Sequence, residues 1–225
     1  MNRLQAQWQR LYLPPEGAAA GTVRAVVLGL ARPASWDDAA AVWQGAQTDL
    51  GLPAPGIAVS GTDACELWFS LAQPVDAADA QAFMDGLASR YLAHLPPHAL
   101  RARLAPGTAL PPAQVGAERW SAFVSPDLAP LFAEEPFLDH PPGADAQAEL
   151  LSRLECAGAE VFAHALTQLA AAPAATPVTA LATPVHAPAG PADPRAFLTQ
   201  VMQDASVPLA LRIEAAKALL ATARA

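Results

Sequence analysis

The sequence predicts an α+β fold, and three observations carry that prediction. A β-branched apolar run, Val23 to Leu30, is followed by a helix-start signal at Ser35. Two more apolar runs, Ile57-Ala58-Val59 and Leu67-Trp68-Phe69-Ser70-Leu71, flank the turn-forming Ser60-Gly61-Thr62-Asp63. From Ser125 onward the apolar spacing becomes helical. The order β-α-β-β-α implies a small mixed sheet with helices on one face, followed by a helical region.

Leu4, Trp8, Leu11 and Tyr12 fall at helical spacing, so a short helix opens the chain and Pro14-Pro15-Glu16-Gly17 ends it. Ser35 with Asp38 three residues later forms a capping box. Trp36, Ala39, Trp43, Ala46 and Leu50 share a face of that helix, and Gly51 closes it. A helix over 76–93 follows, capped by Asp76, with Phe83, Leu87 and Tyr91 on one stripe. Residues 96–118 are rich in Pro and Gly and give one strand, near Leu100–Leu104. Helices are expected over 126–133, 144–154 and 159–170.

Between Ala170 and Ala192 there is no Asp, Glu, Lys or Arg, and Pro173, Pro177, Pro184, Pro188 and Pro191 interrupt Ala and Thr. This pattern predicts a semi-extended, disordered linker over 171–192, which joins an α+β domain over 1–170 to a helical hairpin over 193–225. Asp193-Pro194 starts the hairpin's first helix, with Phe197, Leu198, Val201 and Met202 as its stripe. Leu209, Ile213, Ala216 and Leu220 share a face of the second. Such a hairpin buries little apolar area alone, so 194–223 is expected to pack on a protein partner or a second copy.

Composition narrows the function classes. The formal charge is −8 and Lys217 is the single lysine, which does not favour a broad nucleic-acid surface. Arg101 and Arg103 are the closest arginine pair away from the ends. The two cysteines, Cys65 and Cys156, lie too far apart in sequence to suggest a metal cluster. No secretory signal and no membrane-length apolar run is visible, so a cytoplasmic protein is expected, with no membrane partner. The Ala-, Pro- and Arg-rich usage points to a bacterial source.

Val23–Leu30, the helix after it and the stretch from Leu52 to Leu71 together resemble the first half of the archaeo-eukaryotic primase-polymerase fold, over residues 21–93. Ser60-Gly61 and Leu67-Trp68-Phe69 match that family's hairpin element. The resemblance implies an Asp-x-Asp pair on the first strand and a histidine after the turn. This chain has Val26-Val27-Leu28-Gly29-Leu30 at the first and Glu66 at the second. Metal-dependent nucleotidyl transfer needs paired carboxylates to hold divalent ions, so the resemblance implies a degenerate site.

The tail resembles a helical segment of phage small terminase subunits over 193–223. The match runs through Phe197, Val201, Met202, Asp204, Pro208, Arg212, Ile213, Lys217 and Leu220. Mobile-element or phage-like ancestry follows from the two resemblances together.

The function expected on these grounds is non-catalytic binding or assembly, with neither cofactor nor metal. The candidate binding residues are Ser60, Asp63, Glu66, Trp68, Arg212 and Lys217. Two alternatives stay open: an enzyme of unrecognised type using polar groups at the 60–66 turn, and an adaptor docking through the C-terminal hairpin. Other groupings carry less. His94 and His98 are separated by Pro96-Pro97, which forbids one helix presenting both. Cys65 is expected as a buried structural thiol. Trp36, Trp43 and Trp68 are expected as one aromatic cluster between helix and sheet.

Overall fold

The structure, a computed structural model, describes residues 2–105 and 109–171. The chain divides into two units, Met1–Thr176 and Pro177–Ala225, and the described residues all lie in the first. The linker and hairpin expected over 171–192 and 193–225 therefore lie, but for Ala171, outside the described residues.

The fold class is α+β, as expected. The elements run α1 (Arg3–Leu11), β1 (Thr22–Ala31), α2 (Trp36–Thr48), β2 (Gly56–Val59), β3 (Ala64–Asp76), α3 (Ala77–Tyr91), β4 (Leu100–Ala105), β5 (Ala113–Gly116), β6 (Arg119–Val124), α4 (Ala144–Ser152) and α5 (Ala159–Ala171). The strands form one six-stranded sheet in the order β4-β1-β3-β2-β6-β5. Its strand pairs are antiparallel rather than mixed. A single parallel bridge joins Leu71 to Ala157, just before α5.

Helices cover both faces, where one covered face was expected. Val26, Leu28, Leu30, Ile57, Leu67, Phe69 and Leu71 form the larger core with Val42, Phe83, Leu87 and Phe162 from α2, α3 and α5. The opposite faces of the same strands carry Val27, Ala58, Trp68 and Phe123. These meet Leu4, Leu11, Tyr12, Ala148 and Leu151, from or beside α1 and α4. Strand alternation explains the split: successive side chains in β1 and β3 point to opposite faces, and each run buries apolar groups on both, although β3 also sets Glu66 and Ser70 on the face that carries Trp68. The pattern of β1 and β3 therefore called for two layers of helix.

Local signals hold at the helix starts. Asn2 caps α1 and Ser35 caps α2, each with a complete capping box. Ser35 N–H donates to Asp38 Oδ2 at 2.6 Å. Asp76 occupies the cap position of α3 but makes no side-chain cap bond; β3 runs through Pro74 to Asp76 and leads directly into the helix. The helix expected over 126–133 is a short 3₁₀ turn, Ala129–Phe132, since Pro126 and Pro130 both lack the N–H that a regular helix needs. Strand β5 arises within the Pro- and Gly-rich stretch, and β6 in the segment after it, for which no element was expected. Buried Gln147 extends their pairing: its side-chain amide accepts from Phe123 N–H at 2.8 Å and donates to Phe123 C=O at 2.9 Å.

Arginines lock α1 and α4 to the sheet. Arg24 donates to the carbonyls of Gln9, Arg10, Leu13 and Leu71. Arg10 donates to those of Leu151 and Leu154. Apart from that of Leu71, on β3, these carbonyls lie in or just past the last turn of a helix, where the regular bonding pattern runs out. Among the described residues, no helix is long and apolar enough to cross a membrane.

Candidate functional site

The sheet face that carries α1 and α4 is only partly covered by them. The rest is a polar cleft of about 210 Å³, lined by Gly29, Ser60, Thr62, Ala64, Glu66, Arg101, Arg103 and Val115. Two rows of paired residues build it. Arg101, Gly29, Glu66 and Ala58 lie side by side across β4, β1, β3 and β2. Arg103, Val27, Trp68 and Gly56 form the next row.

Glu66 is 3 % exposed and has a partner for each oxygen. Arg103 bonds Oε1 from the strand beyond β1. The Trp68 indole N–H donates to Oε2 at 3.0 Å. A buried carboxylate survives only when paired and hydrogen-bonded in this way. Gly29 makes the pairing possible, because it lies between Arg101 and Glu66 and has no side chain to block a guanidinium crossing β1. A Cβ built on Gly29 would stand 3.3 Å from the Arg101 Cβ.

Asp63, at the rim, takes a bidentate bond from Arg101, with N–O distances of 2.7 and 2.5 Å. That bond holds the Asp63 carboxyl below its usual range, against a smaller opposing effect of burial. The Ser60 hydroxyl is turned inward to its own loop. It accepts from Thr62 N–H at 3.2 Å and Ala64 N–H at 3.0 Å, and Gly61 supplies the positive φ of 82° that the turn demands.

Of the residues proposed from sequence, Ser60, Asp63, Glu66 and Trp68 are brought together. Their roles differ from one another. Ser60 shapes the turn, Asp63 and Glu66 neutralise arginines, and Trp68 is floor. Trp68 is 1 % exposed, packed edge-on to Tyr12 and Phe123 with ring centroids 5.1 and 5.6 Å apart. It does not join Trp36 and Trp43, which pack on the other core, because its neighbours Leu67 and Phe69 take that face. Arg212 and Lys217 lie outside the described residues.

Sequence reasoning missed Arg101, Arg103 and Gly29 as site residues. The alternation Arg-Ala-Arg in a strand, opposite a glycine breaking an apolar run, was the available signal.

Elsewhere, His94 Nε2 lies 2.7 Å from Asp38 Oδ1, at the start of α2. Burial pushes the Cys65 thiol up to about 12, far from a reactive thiolate. Among the described residues, no three His, Cys, Asp or Glu side chains are grouped to hold a metal ion.

No protein-family model matches the chain. A search of curated proteins also finds no match.

Proposed function

We propose that this domain is a non-catalytic binding or assembly module of mobile-element or phage-like ancestry, a primase-polymerase-like sheet that has exchanged catalytic acids for ion pairs. The observation that supports the reading most directly is the occupation of the cleft's carboxylates. Gly29, the β1 position that lines the cleft, and Val27, buried two residues before it, offer no side-chain oxygen. Asp63 and Glu66 do, but Arg101 and Arg103 hold them. A carboxylate in a guanidinium fork has spent its lone pairs and charge, and is a poor ligand for a divalent ion.

The cleft keeps donors for a ligand. The Arg101 and Arg103 side chains are 47 % and 41 % exposed, and each guanidinium has N–H groups beyond those in its ion pair. The Arg101–Asp63 pair is exposed on both sides, and such pairs contribute only about 0–1 kcal/mol. An incoming phosphate or carbonyl oxygen can therefore replace Asp63 at little cost, while Glu66 keeps Arg103 in place. A ligand rich in hydrogen-bond acceptors fits better than a long polyanion, given the balanced charge of the cleft.

Two measurements on the full chain test this. Primer extension with Mg²⁺ or Mn²⁺ is expected to yield no product, and incorporation above background overturns the non-catalytic reading. NMR titration with a nucleoside triphosphate is expected to shift the Gly29, Thr62 and Ala64 amides, and to lose that effect in Arg101→Met. Shifts centred elsewhere remove the cleft as the binding surface. A protein partner or second copy docking through 194–223 belongs to the same proposal, and deletion of 193–225 is expected to abolish it. The unpaired Cys65 and Cys156 favour a reducing, cytoplasmic setting for this role.

A further inference from the structure

The ends of β2 and β6 and the outer side of α4 enclose a second cavity, of about 380 Å³, on the far side of the aromatic cluster from the polar cleft. Most of its wall is apolar, with Trp43, Ile57, Val124, Leu150 and Leu154 prominent, and Glu149 and Arg153 line it as well. Its size lies within the range of about 300–1,000 Å³ that small-molecule sites occupy. Volume alone says nothing about a ligand; the group behind the wall does.

The Tyr12 hydroxyl is buried with no hydrogen-bond partner among the described residues. Tyr12 itself is fully buried, stacked on Phe123 with centroids 5.6 Å apart. An unpaired buried hydroxyl is destabilising, so its presence in an otherwise apolar cluster calls for a reason. Its location supplies one. Gly56 lines the cavity, and a Cβ at Gly56 would lie 2.8 Å from the Tyr12 hydroxyl and 3.0 Å from Leu154 Cδ1. The missing side chain of Gly56 thus leaves the hydroxyl directly behind the wall, and Leu154, half-buried just past the end of α4, is the side chain that stands beside it. Burial pushes the hydroxyl's pKa upward, so it remains a donor at ordinary pH.

We propose that this cavity is a binding site for a small, flat apolar molecule carrying a single hydrogen-bond acceptor, which displaces the Leu154 side chain and takes the Tyr12 hydroxyl proton as a hydrogen bond. The cavity supplies apolar area for affinity, and the one buried donor fixes orientation. Larger apolar ligands lacking an acceptor leave the hydroxyl unpaired and gain nothing from it. The site is separate from the Arg101–Arg103 cleft and does not depend on nucleotide binding there.

Quinoline and naphthalene differ by the acceptor nitrogen and little else in shape, so they serve as probes. Full-length protein is titrated with each, and the backbone amides of Gly56, Ile57, Val124 and Leu154 are followed by NMR. Quinoline is expected to shift these amides and to bind several-fold more tightly than naphthalene. Tyr12→Phe keeps the ring and removes the donor; it is expected to weaken quinoline about five-fold and leave naphthalene unchanged, the size of one neutral hydrogen bond. Leu150→Trp fills the cavity from the side away from Tyr12 and is expected to abolish both. The proposal is overturned if neither probe moves these amides up to its solubility, or if quinoline binds equally well to the wild type and Tyr12→Phe. Because Tyr12→Phe preserves packing, the outcome does not depend on whether the bulkier variant folds.

Discussion

One face of the sheet changes character within a single residue pair. At Trp68 it is aromatic, closed by Tyr12 and Phe123 and covered by α1 and α4. At Glu66, two residues earlier on the same strand, it is ionic and borders the polar cleft, with the carboxylate itself buried. The indole N–H that bonds Glu66 belongs to both regions. The contrast shows how a buried carboxylate can be kept in an apolar sheet: the aromatic half supplies one donor and excludes water, and the arginine on β4 supplies the charge.

Three experiments bear on that division, in falling order of effect. Trp68→Ala removes the centre of the aromatic half and a donor to Glu66. It is expected to destabilise the protein by about 3–5 kcal/mol, read by urea unfolding. A loss near 1 kcal/mol would show that the two halves are independent.

Arg103→Met leaves Glu66 buried beside one neutral donor. Removing one partner of a fully buried pair costs about 3–5 kcal/mol. The 41 % exposure of the Arg103 side chain lowers the expectation to about 2–3 kcal/mol. Adding Glu66→Gln to that variant is expected to recover at least half the loss, because the uncompensated charge goes. If the double variant is no more stable than Arg103→Met alone, packing rather than charge holds the cleft together.

Asp63→Asn tests the outer pair and is expected to cost only about 0.5 kcal/mol at pH 7. The folded Asp63 carboxyl titrates below its unfolded value of about 3.9. Its contribution is therefore complete above that value and is lost as pH falls through the lower, folded one. Unfolding curves of wild type and Asp63→Asn should then begin to approach each other as pH falls below about 4 and meet once it is below the folded value. A difference that persists in acid would assign the effect to geometry at the turn.

Much of the fold was legible because local rules governed it. The capping box at Ser35, the Gly61 turn and the apolar runs of β1 and β3 each follow from a few neighbouring residues. The second helical layer was legible in principle in Ala25–Leu30, which is apolar or glycine on both alternating sets, the mark of a strand buried on both sides. Strands β5 and β6 were not, because each is short and its register comes from distant β2 and Gln147.

The candidate site divided in the same way. Ser60, Asp63 and Glu66 stood out by their place at a turn. Arg101 and Arg103 acquire meaning only through cross-strand pairing with Gly29 and Val27, which no window of sequence reveals.

Strand β4 is also an outer edge of the sheet among the described residues. An edge strand offers unpaired backbone groups to any extended chain, and charged side chains turned inward over the sheet are one of the ways proteins discourage such additions. Arg101 and Arg103 sit on this strand in that manner, so the residues that balance the cleft also guard the domain against runaway strand-to-strand association. Variants that make this edge apolar are the ones in which oligomers and insoluble material should first be seen.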